Sequence, residues 1–163
     1  MIQRTKGAQS LAFAEAPCII SSASVVGKKE SEGPLGELFD MAGEDDLFGE
    51  RTWEEAESRI QKEACVLALG KAHLTPDRVR CLYGGDLLRQ GIATSMGAEE
   101  LQIPLFGLFG ACSTSGEALA LAAMSAAAGY GEYMLAVTSS HFGMAEKAFR
   151  FPLSEASQLT RSA

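Results

Sequence analysis

A cysteine followed by three hydroxyl residues is the part of the sequence best suited to chemistry. Cys112 stands directly before Ser113-Thr114-Ser115, behind an apolar run and ahead of an alanine-rich stretch. If that stretch is a helix, its first turn offers unpaired N–H groups and positive partial charge, which favour a thiolate. Cys112 is then a nucleophile or a thiol that contacts an anion. The alternative, which position alone leaves open, is a small buried cysteine with neighbours that only cap the helix.

Two other segments place polar side chains at the ends of predicted strands. Gly84-Gly85-Asp86 follows one strand, and Thr138-Ser139-Ser140-His141 follows another. Because ligands in open parallel sheets collect at the carboxyl ends of the strands, we expect both segments and Cys112 to share one cleft. His141 could act as a base or as a donor to an anion, although a lone histidine after a strand is more often structural or merely solvated. Asp86 could instead be a turn former or a cap.

The elements that must position these residues alternate between strand and helix patterns. Strands are predicted over 18–26, 79–83, 105–109 and 133–138, and helices from 52, over about 88–101, and from Gly116 to about Ala128. A possible edge strand lies around 11–13, and 28–51 reads as a long functional or contact loop. This order predicts an α/β fold with a largely parallel sheet and right-handed crossovers.

Three of these elements carry more specific expectations. Thr52 with Glu55 fits a capping box at the start of the first long helix, and Glu57 is expected on the polar side of that helix. The unalternating run 105–109 suits a strand buried on both faces. The helix after Cys112 is apolar all round, which is typical of a helix buried on all sides, so it implies a layer beyond a simple three-layer sandwich that this chain alone is not expected to supply.

Composition bounds the function classes. The chain has 163 residues, 47% of them hydrophobic and 21% charged, with a net charge of −7; it is one domain or part of a larger one. The acidic balance argues against a nucleic-acid binder, and no spanning helix or signal peptide is expected. The four widely spaced cysteines indicate free thiols in a reducing compartment, so no metal site is expected, and the absence of a phosphate loop agrees with no cofactor.

The segment around Cys112 resembles the nucleophile region of the thiolase-like superfamily, which includes thiolases and ketoacyl synthases. More closely, the chain is similar to the N-terminal half of the stage V sporulation protein AD family. The matching stretches run in register over about 18–152 and are Lys29-Glu30, Glu32–Gly36, Leu38–Asp40, Gly85–Leu88, Ile103-Pro104, Leu108–Ser115, Thr138–His141, Ala145-Glu146 and Phe149-Arg150.

The resemblance implies one half, residues 1–152, of a duplicated five-layer α-β-α-β-α thiolase-like fold. It implies a protein that binds dipicolinic acid, as its calcium chelate, for uptake into the developing spore. The resemblance also implies that the protein works beside other proteins of the same operon and is located in the cytoplasm or at the periphery of the spore inner membrane. No nucleic-acid partner is expected, and self-association is possible. The ligand-binding residues carried over are Asp86, Cys112, Thr138, Ser139, Ser140 and His141.

Two alternatives stay open. One is a thiolase-like acyltransferase with Cys112 as nucleophile, which is disfavoured because only His141 offers a base and the remaining catalytic residues belong to a second half. The other is a non-functional fragment with exposed apolar surface. Residues 153–163 depart from the family pattern, and we expect them to be the divergent tail of a truncated or frameshifted gene product that lacks the second half.

Overall fold

The computed structural model describes residues 5–87 and 91–149. The strands are β1 (Thr5–Lys6), β2 (Ser10–Leu11), β3 (Val25–Val26), β4 (Met41–Ala42), β5 (Val79–Asp86), β6 (Leu105–Gly107) and β7 (Tyr133–Ser139). The helices are α1 (Lys28–Ser31), α2 (Trp53–Lys71), α3 (Ile92–Leu101), α4 (Thr114–Ala127) and α5 (Phe142–Phe149). The predicted boundary at 152 and the tail 153–163 lie outside the described residues.

A parallel sheet in the order β6-β5-β7 organises the described chain. Its register pairs Gly84 with both Gly107 and Val137, and Asp86 with Ser139. Two short pairs accompany it, with β1 and β2 antiparallel and β3 and β4 parallel. The predicted α/β class with a mostly parallel sheet is therefore confirmed.

Side chains that alternate along β5 face two different helix layers. Leu82 packs in a cluster with Cys65 of α2 and Leu101 of α3, whereas its neighbour Tyr83 packs with Ala118 of α4. We call the side covered by α2 and α3 the inner face of the sheet, and the side covered by α4 the outer face. The sheet β6-β5-β7 is thus packed between two helix layers, with successive residues of β5 facing them in turn.

The first long helix begins as its sequence predicts. The backbone N–H of Glu55 donates to Thr52 Oγ1 at 3.1 Å, and the N–H of Thr52 donates to Glu55 Oε2 at 3.1 Å, so the capping box is confirmed. This box fixes where α2 starts and therefore which of its residues face the sheet.

The prediction that 105–109 is buried on both faces is wrong for the described chain, and the apolar helix α4 is covered on one face only. The 105–109 run supplies only the three-residue edge strand β6, and Phe106 is 53% exposed because only β5 flanks this strand. The helix α4 buries Thr114, Ala118 and Ala122 against the sheet, while Leu119 and Met124 on its other sides remain exposed. Gly129, at φ 78°, ends this helix region in the left-handed conformation that its position predicts.

The N-terminal predictions hold in part. Of the strand expected over 18–26, only β3 forms, and Ile19 is 77% exposed. The segment before β3 is held to α2 by side chains instead, because Ser21 Oγ donates to the carbonyl of Ala68 and Lys71 Nζ donates to the carbonyl of Ser22. The expected loop 28–51 contains α1, a 3-10 turn at Gly36–Leu38 and β4.

Candidate functional site

The ends of β5 and β7 lie side by side, but the sheet divides the predicted site between its two faces. Asp86 pairs with Ser139, and both side chains face inward toward α2 and α3. Gly85 pairs with Thr138 one residue earlier, so by alternation both face outward toward α4. The structure therefore brings these residues to one edge, as expected, in an inner and an outer group.

Asp86 caps the helix α3. Its side chain is completely buried, and its carboxylate accepts the backbone N–H groups of Gly91 and Thr94, each at 3.2 Å, together with the Thr94 hydroxyl at 3.2 Å. Carboxylates are favoured at a helix N-terminus because they satisfy free N–H groups and oppose the positive end of the helix dipole. Asp86 thereby fixes α3 to the end of β5.

Gln61 links the ends of β5 and β7. Its side-chain Nε2 lies 2.7 Å from Ser139 Oγ, 3.0 Å from Thr94 Oγ1 and 3.4 Å from the carbonyl oxygen of Gly85. The Ser139 hydroxyl in turn donates to Glu57 Oε1 at 2.5 Å, and the Thr94 hydroxyl donates to Asp86. These five side chains, Glu57, Gln61, Asp86, Thr94 and Ser139, form what we call the inner cluster.

Glu57 is the residue that the sequence analysis placed wrongly. It was expected on the polar side of its helix, but it is only 2% exposed. Burial raises the pKa of the Glu57 carboxyl, and the nearby charge of Asp86 acts in the same direction, while the hydrogen bond from Ser139 opposes them. A buried carboxyl with a raised pKa at the edge of a sheet is a feature typical of functional sites.

A signal for Glu57 and Gln61 was present in the sequence. The residues Glu57, Gln61, Cys65 and Leu69 follow one another at intervals of four, and all four are buried. Residues at that spacing lie on one helix face. The stripe is apolar where it covers the body of the sheet and polar where it reaches the ends of the strands, so a search for apolar residues alone overlooks its polar half.

His141 is held at both ring nitrogens. Its Nε2 lies 2.6 Å from the carbonyl oxygen of Asp46, and its Nδ1 accepts the backbone N–H of Gly143 at 3.1 Å. Because a backbone N–H can only donate, these contacts define the tautomer with the proton on Nε2. Trp53 stacks on the ring at 5.8 Å between centroids and donates its indole N–H to Asp46 Oδ2. His141 thus secures the 44–50 loop to the end of β7.

Cys112 lies on the outer side in a 3-10 turn, Ala111–Ser113, that leads into α4, and it is exposed. The preceding Ala111 has a φ of 49°, a left-handed conformation that is costly for alanine. Two of the neighbouring hydroxyls are engaged within the turn: Ser113 donates to Glu117 Oε1 at 2.5 Å, and Thr114 Oγ1 accepts the N–H of Gly110. The Cys112 thiol, in contrast to these two hydroxyls, is exposed to solvent.

A groove of about 870 Å³ runs along the open edge of β7, between α4 on the outer face and α2 on the inner face, and the segment 15–23 also lines it. Small apolar residues form most of its wall, and the hydroxyls of Ser115 and Thr138 lie on it. Ser115 is three residues after Cys112, so the groove reaches the first turn of α4. An apolar groove of this size with a few polar groups is typical of a small-molecule site.

Two searches of the described residues bear on cofactors and membranes. Within 5–87 and 91–149, no three His, Cys, Asp or Glu residues are grouped so that they could hold a metal ion. No helix within the same ranges is both long and apolar enough to cross a membrane.

The chain is similar to known proteins along nearly its whole length. The family described as Stage V sporulation protein AD matches residues 7–163. Stage V sporulation protein AD of Bacillus subtilis (strain 168) is 41% identical over 147 residues, which are 90% of this chain and 43% of that relative. The chain thus spans less than half of the length of the relative.

Two solved structures resemble part of the chain. The 3-oxoacyl-[acyl-carrier-protein] synthase III from Aquifex aeolicus VF5 has a TM-score of 0.49 at 20% identity, covering 54% of this chain and 30% of that one. The priming beta-ketosynthase from the R1128 polyketide biosynthetic pathway has a TM-score of 0.45 at 21% identity, covering 52% and 27%.

Proposed function

Because the chain belongs to the Stage V sporulation protein AD family and so has a role in sporulation, we propose that it binds dipicolinic acid as the calcium chelate. The observation that carries the proposal is the exposed set of polar groups at the carboxyl edge of the sheet. Cys112, Thr138 and Ser140 are exposed there, and Thr138 also lines the groove. A thiol and two hydroxyls can receive carboxylate oxygens, and the apolar wall can receive a flat ring.

The six carried-over residues then divide into two roles. In this proposal Cys112, Thr138 and Ser140 contact the ligand directly. Asp86, Ser139 and His141 are buried or half-buried and engaged with the protein, so they support the ligand by holding the strand ends.

Charge favours the calcium chelate over the free dianion. The chain carries a net charge of −7, and the buried carboxylate of Asp86 lies at the same strand ends, paired in register with Ser139. A dianion brought to this edge meets like charges, whereas a chelate that pairs the dianion with Ca²⁺ is neutral. Lys29 places a positive charge near the start of α5, where its Nζ lies 5.6 Å from the centre of the Phe142 ring.

The proposal extends to the surroundings of the protein. We place it at the periphery of the spore inner membrane, in contact with other proteins of the same uptake machinery. The support for this placement is family membership.

Calorimetry tests the binding proposal. The wild-type chain is titrated with calcium dipicolinate, and separately with dipicolinate in the presence of a chelator; we expect saturable binding that is tighter for the chelate. Cys112→Ala should weaken it, while Cys81→Ala, which removes a half-buried thiol of β5 outside the groove lining, should not. Absence of saturable binding by a soluble wild-type chain refutes the proposal, and a wild-type chain that forms only aggregates supports the fragment alternative.

An acyltransferase is the second candidate, and the strained residue beside Cys112 is what favours it. Left-handed non-glycine residues often mark reactive sites, and Ala111 is one. Against this candidate, both ring nitrogens of His141 are occupied, so His141 is not free to activate a thiol. Incubation with acyl-CoA followed by mass spectrometry decides: a stable acyl group on the wild type but not on Cys112→Ala would replace the binding proposal.

A further inference from the structure

The buried residues Glu57 and Gln61 of α2 meet the end of β7 at three points. Gln61 Nε2 contacts Ser139 Oγ at 2.7 Å, Glu57 Oε1 accepts the Ser139 hydroxyl at 2.5 Å, and the Glu57 carboxyl also accepts the backbone N–H of His141. Ser140, which is exposed, stands between the two residues so held. Thr138, on the other side of Ser139, projects to the outer face.

The directions of these hydrogen bonds are fixed by chemistry. The Gln61 amide nitrogen can only donate, so the Ser139 and Thr94 hydroxyls must accept from it and use their single hydrogens elsewhere. Each hydrogen goes to a carboxylate, from Ser139 to Glu57 and from Thr94 to Asp86. One amide thereby orients two hydroxyls, and through them it couples the end of β7 to α3 and the end of β5.

We propose that Gln61, together with Glu57, is a positioning residue for the ligand site: it anchors Ser139 from the inner face and so holds Thr138 and Ser140 where they contact the ligand. The inference rests on the proposed function for the ligand, and on the inner-cluster geometry for the anchoring. Neighbouring residues of a strand point to opposite faces, so anchoring the middle residue from one side places both of its neighbours. Neither Gln61 nor Glu57 is a contact residue in this scheme.

The test compares Gln61→Met with a matched control in the full chain. Methionine keeps the length and volume of the side chain but donates no hydrogen bonds. Ser58→Ala is the control, since Ser58 is also a buried polar residue of α2 but lies against Gly97 of α3, away from the strand ends. Losing one or two hydrogen bonds corresponds to an effect of about tenfold.

Two readouts separate anchoring from ligand binding. Hydrogen exchange of the backbone amides of residues 139–141, without ligand, should be about tenfold faster in Gln61→Met than in the wild type and unchanged in Ser58→Ala. Affinity for calcium dipicolinate should fall about 3- to 10-fold in Gln61→Met only. If exchange at 139–141 is unchanged in a folded Gln61→Met, or if Ser58→Ala produces the same changes, the inference is wrong.

A second variant covers the case in which Gln61→Met does not fold. Ser139→Ala deletes the same contact from the strand side at a small change in volume, and it should speed exchange at 140–141 to a similar extent. Where both single variants fold, the double variant should lose less than the sum of the two single losses, because both variants remove the shared Gln61–Ser139 hydrogen bond. Fully additive losses would contradict the anchoring. If the variants show the expected exchange differences but the wild type does not bind calcium dipicolinate, the ligand role and the proposed function are refuted while the anchoring is established.

Discussion

Among the glycines of the described sheet, Gly85 is the one where a single added carbon should do most damage. A Cβ at this position would lie 2.1 Å from the carbonyl oxygen of Leu108 and 2.9 Å from Thr114 Cγ2. Ordinary C···O contacts begin at about 3.3 Å, so the Leu108 backbone would have to retreat by about 1 Å. That backbone is tied to β5, because the N–H of Leu108 donates to the carbonyl of Gly84 at 2.8 Å.

The expected cost of Gly85→Ala follows from those two contacts. Overpacking costs about 1–3 kcal/mol, and straining the Leu108 hydrogen bond adds about 0.5–1.5 kcal/mol. We expect the free energy of unfolding to fall by about 2–4 kcal/mol. In a chain of this size the melting temperature should fall by about 5–15 °C.

Urea and thermal denaturation measure this loss, with Gly70→Ala as the matched control. A Cβ at Gly70, near the end of α2, would meet nothing within 4 Å. Alanine is the better helix former there, so Gly70→Ala should gain about 0.5–1 kcal/mol. The two substitutions therefore have opposite expected signs. A Gly85→Ala variant as stable as the wild type would refute the close approach of β5 to the turn that carries Cys112.

Two further predictions concern Glu57 and Ala111. Burial raises the pKa of the Glu57 carboxyl, so the folded protein keeps the Glu57 proton to a higher pH than the unfolded chain does. The free energy of unfolding of the wild type should therefore fall as the pH rises from about 4.3, the usual pKa of glutamate, through the pKa of Glu57 in the folded protein. Glu57→Gln has no such proton, so its free energy of unfolding relative to wild type should increase between pH 4 and 8 in urea titrations; a difference independent of pH would contradict the burial argument. Ala111→Gly should raise the free energy of unfolding by up to about 1 kcal/mol in the same assay, because glycine adopts a φ of 49° without the penalty that alanine has in the left-handed region. The gain is partly offset by the greater conformational freedom of glycine in the unfolded chain. A loss of stability would show that Ala111 is not strained.

Local rules were enough to predict the elements that frame the site. The Thr52 capping box, the left-handed Gly129 and the alternation of strands with helices all depend on residues close together in the chain. Burial was harder to predict because it depends on what covers an element. The run 105–109 and the helix α4 are apolar enough for a core, yet β6 lies at an edge of the described sheet and α4 has only one covered face.

The division of the site into inner and outer groups needed the register between strands. The sequence shows that Asp86 and Thr138 both end strands, but the faces they take follow from the pairing of Asp86 with Ser139, which joins residues 53 positions apart in the chain. A shift of one residue would have exchanged the groups. The spacing along α2 marks Glu57 as part of the buried stripe, but the partners that make its burial tolerable are distant residues and could not be assigned from the helix alone.

The two halves of the site meet at Gly85, and this explains why a residue without a side chain stands there. On the inner side its carbonyl oxygen lies 3.4 Å from Gln61 Nε2; on the outer side the space that a Cβ would take is filled by Leu108 and Thr114, which flank the turn bearing Cys112. The buried inner cluster can therefore fix the position of the exposed groups on the outer face, because only the thickness of one strand separates the two. Because the inner groups are hydrogen-bonded within the protein, they can keep their geometry while the outer groups stay exposed, as the proposed ligand site requires.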